Sequence, residues 1–276
     1  MAMLLVAGCA GTETSQDRAA RAIEDMDVMA EAGLDEVMLG VADPAEAVSY
    51  FRDAVEGDPE NLELQRKLAK ALVRAERPRE AVSVWERVTA HPDSTPQDGV
   101  SHADALIRIN RWDEAAAALE TVPPTHETHE RYRLEAMIAD SREDWDRADS
   151  FYQTAADLTT QPSGVLNNWG YSKLTRGEHA EAERLFTEAL SYNRDMFTAK
   201  NNLVLARAAQ RRYDLPVVPM TQTERARLLH TMALGAIRQN DVATGRGLLQ
   251  EAVDTHPRHF EEAARALRAL ENNVTN

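Results

Sequence analysis

Few side chains in this sequence combine the type and the spacing that chemistry requires. The 276 residues include one cysteine, Cys9. A single thiol cannot form an internal disulfide, and outside a reducing compartment an idle thiol is a liability, so Cys9 needs a use of its own. His126 and His129, in THETHE, are spaced like two metal ligands on a helix, but they follow Pro123 and Pro124 in an expected loop with no third ligand evident. His256 and His259 flank Pro257 at an expected turn and read the same way. The sequence lacks GxSxG, a phosphate-binding glycine loop and a paired Cys/His arrangement. These residues therefore point to a non-catalytic protein with no cofactor, no metal and no small-molecule substrate. What remains is a pair of amides that recurs: Asn167 and Asn168 in LNNWGYSKL, then Asn201 and Asn202 in KNNLVLARA.

The elements that position those amides come from composition and periodicity. Hydrophobic residues make up 43% of the chain, aromatic residues only 5%, and alanine recurs throughout. That mixture suits helices packed closely through small residues. A spacing of small, large apolar, then small residues, four and three apart, appears at Ala47, Phe51 and Ala54, and again at Ala81, Trp85 and Val88. It returns at Ala115, Leu119 and Val122, at Ala148, Tyr152 and Ala155, at Ala182, Phe186 and Ala189, and at Gly245, Leu249 and Ala252. From Ala47 through Ala81, Ala115 and Ala148 to Ala182 the steps are 34, 34, 33 and 34. Small residues let two helices approach, and the large one between them fills the gap to the neighbour.

This period resembles the tetratricopeptide repeat, and prolines at 59, 92, 162 and 257 close units as that repeat requires. The fold expected is all-α: a right-handed superhelical solenoid of antiparallel helix pairs, stabilised by nearest-neighbour stacking. Units are expected at about 28–61, 62–95, 96–128, 129–162, 163–196 and 226–259. Phe197 to Tyr213 reads as one more first helix whose partner is forbidden by Pro216 and Pro219, so a repeat region over 28–222 contains an interrupted unit at 197–222. A final repeat and a capping helix from Arg258 to Leu270 occupy 223–276. His91, Pro92 and Asp93 spell the tripeptide of chaperone J-domains but sit at a unit end, where a structural role suffices. The resemblance also implies a site. In peptide-binding proteins of this repeat class, first-helix asparagines line a concave groove, where an amide can donate to a peptide carbonyl and accept from its N–H together. Asn167, Asn168, Tyr171, Asn201 and Asn202 are the expected groove residues, with Lys173, Lys200 and Arg207 supplying charge for an acidic or C-terminal carboxylate group. The alternative is that the asparagines only join neighbouring helices.

Net charge and the N-terminal segment narrow the partners. Thirty-one basic against 46 acidic residues gives −15. A phosphate backbone is repelled on average and no long basic run offsets this, which argues against nucleic acid and favours a basic protein partner. Val6, Ala7, Gly8 and Cys9 resemble the bacterial lipobox, with Cys9 as the lipidated residue. Residues 1–8 then read as a truncated lipoprotein signal peptide whose start lies upstream, and 9–27 as the lipidated cysteine and a tether, rich in Gly, Thr, Ser and Gln from Ala10 to Arg18. With no other stretch near the roughly 18 to 20 apolar residues of a spanning helix, lipid on Cys9 is the expected membrane anchor.

Three runs carry a finer resemblance: NNWGYSKLTRG, FTAKNNLVLARAAQRRYDLPVVPMTQTERARLLHTMAL and GLLQEAVDTHPRHFEEAARAL, together covering roughly 163–270. They are similar to the TadD-like lipoproteins of tight-adherence (Tad, or Flp) pilus systems, in the alphaproteobacterial form. That resemblance implies a lipid-anchored protein on the periplasmic face of the outer membrane, acting as a pilotin for the outer-membrane secretin and working with other Tad pilus assembly proteins. Two other readings keep the repeats but change the setting. One is a lipidated adaptor for peptidoglycan enzymes, the other a soluble tetratricopeptide chaperone whose Cys9 is incidental.

Overall fold

Helices account for all the regular structure in residues 33–274, the part of the chain that the computed structural model describes. They form two compact units, one ending at Arg111 and the next beginning at Trp112. The lipobox residues Val6 to Cys9 and the tether lie outside the described residues.

In the first unit, helix starts follow local chemistry. After α1 (33–40), α2 (Pro44–Gly57) opens on a proline, which has no N–H to leave unpaired, behind Asp43. The Asp43 carboxylate accepts from the N–H groups of Ala45 at 2.8 Å and Glu46 at 3.3 Å. Asn61 caps α3 (Leu62–Arg74) by accepting from the Leu64 N–H at 3.2 Å. Prolines also open α4 (Pro78–Ala90) and α5 (Pro96–Ile107). At the head of α5, Asp98 accepts from the Thr95 N–H at 2.7 Å and from the Arg66 guanidinium at 2.9 and 2.7 Å. Burial pushes the Asp98 carboxyl up, but these bonds outweigh it and hold the group below its ordinary value. Ala47, Phe51, Ala81, Trp85 and Val88, the periodic residues, are buried, while Ala54 is only half-buried.

The second unit holds α6 (Trp112–Glu120), α7 (His129–Ser141), α8 (Trp145–Asp157), α9 (Ser163–Thr175), α10 (His179–Tyr192) and α11 (Phe197–Ala209). It continues with α12 (Gln222–Arg238), α13 (Val242–Thr255) and α14 (Glu261–Val274). Helices α7 and α8, α9 and α10, and α12 and α13 pair as hairpins. At Gly170 a Cβ would lie 2.7 Å from the Phe186 ring, so only glycine lets α9 sit this close to α10.

The turns that end the first helices repeat as well. Glu76, Asn110, Glu143, Gly177, Arg211 and Asn240 all adopt positive φ, between 58° and 81°. After each one, the next residue's N–H reaches back over the turn, as Arg77 does to the Leu72 carbonyl at 2.9 Å and Glu178 to the Lys173 carbonyl at 2.9 Å. This closes the orphan carbonyls of the first helix in a Schellman motif. Where a second helix would follow α11, residues 210–221 form none. Lys200, 1% exposed, instead donates to the Pro219 carbonyl at 2.8 Å and pairs with Glu224 at 3.2 Å, fixing the end of this loop to the start of α12. The architecture is the all-α helical-repeat solenoid that the period of 34 requires.

Candidate functional site on the first helices

A pocket of about 450 Å³ opens on the face formed by the first helices of three successive repeats, α7, α9 and α11. Met137 and Asp140 come from α7, Asn168 and Tyr171 from α9, and Thr198 and Asn202 from α11. Trp112 and Trp145, at the starts of α6 and α8, close its side. Alternation of helix faces explains the arrangement: small buried residues such as Ala136 and Ala139 of α7 and Gly170 of α9 pack on the second helix of the same hairpin, which leaves other positions to line the opposite face.

Of the eight groove residues expected from the sequence, Asn167, Asn168, Tyr171 and Asn202 line this pocket. Asn167 and Asn202 are buried and bonded to one another, the Asn202 amide donating to the Asn167 carbonyl oxygen at 3.1 Å. They join α9 to α11. Asn201 faces a separate recess of about 330 Å³ beside Phe197, Arg227 and His230, where its oxygen accepts from the Thr231 hydroxyl at 2.9 Å. Asn168 turns its amide nitrogen to the Met137 sulfur at 3.4 Å. Its oxygen, and the hydroxyl of Tyr171, which is 53% exposed, are open to a ligand. Ser172 completes a run of links between successive first helices by donating to Asp140 at 2.6 Å.

The three expected cations are engaged elsewhere. Lys173 donates to Asp149 at 2.8 Å and Glu178 at 2.9 Å. Arg176 and the Trp169 ring N–H also bind Asp149, at 2.6 and 2.7 Å. Burial raises the Asp149 carboxyl, but bonds from Arg176, Lys173 and Trp169 bring it below its ordinary value. Arg207, 34 residues after Lys173, repeats the arrangement by donating to Glu183 at 3.0 Å, and Glu183 itself lies 34 residues after Asp149. Gln210 and Arg212 complete that second cluster at 3.0 and 2.6 Å. Lys200 is held by Pro219 and Glu224 as described above. The positive charge expected at the groove is therefore already neutralised by neighbouring carboxylates.

Asp140 is the charged group that faces the pocket, and sequence reasoning missed it. Its two oxygens accept from the Ser172 hydroxyl at 2.6 Å and the Tyr152 hydroxyl at 2.8 Å, and the Arg176 charge acts on it from beyond contact. Burial pushes its carboxyl up, and the two hydroxyls do not offset it. The Tyr152 phenol, buried and beside that carboxylate, is raised well above its ordinary value. Trp112 and Trp145 were also missed, though a signal existed: each stands three residues before a repeat alanine, Ala115 or Ala148. Among the described residues no cluster of metal-ligating side chains occurs, and no helix is long and apolar enough to cross a membrane.

Comparison with known proteins agrees with this geometry. Residues 38–97 and 167–215 each match a model of the tetratricopeptide repeat. The fold is similar to a chain in the crystal structure of the APC/C hetero-tetramer Cut9-Hcn1, with TM-score 0.61 and 16% identity over 87% of this chain. The present chain spans 48% of that one. A tetratricopeptide repeat protein from Parabacteroides merdae superposes with TM-score 0.55 and 13% identity, covering 89% of this chain and 98% of its own. No curated protein matches the sequence. Residues 38–97 and 167–215 thus carry tetratricopeptide repeats, a helix-pair module generally used for non-catalytic protein–protein interaction.

Proposed function

We propose that this protein is a lipid-anchored tetratricopeptide scaffold that acts as a pilotin of a tight-adherence pilus system, binding a segment of the outer-membrane secretin. The observation that carries the binding role is the pocket across α7, α9 and α11, where Asn168 and Tyr171 present unsatisfied polar groups beside aromatic walls. A pocket of about 450 Å³ with a few placed polar groups accommodates one or two side chains of an extended peptide. The pilus assignment rests on the resemblance over roughly 163–270, including LPVVPMTQTERA, and the outer-membrane setting on the lipobox ending at Cys9. In this reading Cys9 carries the lipid, the following segment gives slack, and the solenoid carries the partner to the membrane by the sorting of its own anchor.

The test is the amount of assembled, detergent-resistant secretin multimer in outer membranes with and without this gene. Loss of multimer, or its appearance in the inner membrane, supports the pilotin role. Normal multimer at its normal location overturns it and favours the peptidoglycan-enzyme adaptor. Cys9→Ser, in a gene carrying its full leader, is expected to release the protein from membranes, and retention in the outer-membrane fraction would refute lipidation.

A further inference from the structure

Within that binding role, the charge of the occupant can be read from the pocket itself. Basic residues near its rim are already engaged: Lys173 and Arg176 with Asp149, Arg207 with Glu183, and Arg133 with the Met137 sulfur at 3.8 Å. Nothing cationic lines the pocket, and its floor carries the carboxylate of Asp140. That carboxylate is held in place by two neutral hydroxyls, from Ser172 and Tyr152, which orient it without cancelling its charge. Around it stand Trp112, Trp145, Tyr171 and the Met137 thioether, surfaces against which a long aliphatic stem packs well.

We infer that the pocket receives a lysine or arginine side chain of an extended partner peptide, its stem lying on the aromatic walls and its cationic head meeting Asp140. This rests on the reading of the pocket as a peptide site. An acidic side chain or a terminal carboxylate is disfavoured, because it would meet the Asp140 carboxylate at close range in a pocket whose lining holds no cation. A neutral apolar side chain would fill the space but leave Asp140 half-buried and unpaired, which a ligand cation corrects. The chain's net charge of −15 adds steering of the same sign. Asp140 thus sets specificity, while Asn168 and Tyr171 hold the backbone of whatever peptide enters.

A displayed library of random 12-residue peptides, selected on the full chain, tests this. Recovered sequences are expected to share a Lys or Arg next to an apolar residue. Replacing that basic residue by Glu in a synthetic copy should lower affinity by about tenfold or more in fluorescence anisotropy at physiological salt. Selection on Asp140→Asn, which keeps the size and one oxygen to accept from a hydroxyl while its amide nitrogen donates to the other, should still recover peptides but without the basic residue. The inference fails if wild-type selection yields acidic or uncharged consensus sequences, if the Glu copy binds as well, or if the basic preference survives in Asp140→Asn. Asn168→Ala with Tyr171→Ala separates this from the site reading. If capture falls in that double variant while charge preference is absent, the pocket is the site and the charge inference alone is wrong. Capture that ignores the double variant removes both.

Discussion

Two ion clusters 34 residues apart occupy the same repeat position with different residues. Around Asp149 the donors are Lys173, Arg176 and the Trp169 ring; around Glu183 they are Arg207, Gln210 and Arg212. Each ties the start of one second helix to the end of the next first helix. The cations of the first cluster are the drier, Lys173 and Arg176 being 11% and 7% exposed against 14% and 47% for Arg207 and Arg212, although Glu183 at 16% is less exposed than Asp149 at 28%. The role is inherited along the repeat, but its energetic weight follows burial.

Removing the two acids should separate the clusters most sharply. Asp149→Ala leaves Lys173 and Arg176, both at low exposure, with only Glu178 to pair with and is expected to cost about 2 to 3 kcal/mol, whereas Glu183→Ala should cost nearer 1 to 2 kcal/mol. Urea unfolding measures both, and equal losses would mean that burial does not set the difference. The asparagines give a second contrast. Asn167→Ala strands the buried Asn202 amide and should cost about 1 to 3 kcal/mol, while Asn201→Ala, beside open solvent, should cost less than about 1 kcal/mol.

Titration contrasts Asp149 with Asp140. The Asp149 carboxyl is lowered on folding, so its contribution is present above the unfolded value of about 4 and is lost as pH falls through the lower folded value. Asp140 is raised, so the folded state favours its protonated form, and the associated stability is lost as pH rises through the raised value. Asp140→Asn should therefore raise the melting temperature more at neutral pH than in acid. An equal rise at both would show that the carboxylate carries no folding penalty. The smallest effects belong to the hairpin turns. Glu143→Gly should stabilise by about 0.5 kcal/mol and Gly177→Ala should destabilise by about 1 kcal/mol, both in thermal unfolding.

The fold was legible because its signals are local and periodic. Alanines such as Ala148 and Ala182, and large residues such as Tyr152 and Phe186, recur at fixed spacing and lie in the core, since every unit solves the same packing problem. The site was legible only in part. Asn168 and Tyr171 were readable as exposed polar positions on a first helix. The pairing of Asn202 with Asn167 was not, because it depends on which residue the neighbouring helix offers. Lys173 and Arg207 were read as ligand contacts, although their acids Asp149 and Glu183 stand at the same interval of 34 and announce the internal pairing. Asp140 has no periodic signature at all. It is placed by Ser172 and Tyr152, which lie 32 and 12 residues away.

The strap that Lys200 makes to Pro219 and Glu224 bears on how the second unit comes apart. In a stack of repeats, opening proceeds from an end and each step is resisted by one neighbour interface. Where α11 lacks its own second helix, that resistance falls on a loop, one buried ammonium group and the packing of α11 on α12. Helices α12 to α14 then form a block that exchanges its amide hydrogens earlier than α7 to α11. Because α11 borders that seam and gives Thr198 and Asn202 to the pocket, opening there loosens the pocket's last wall.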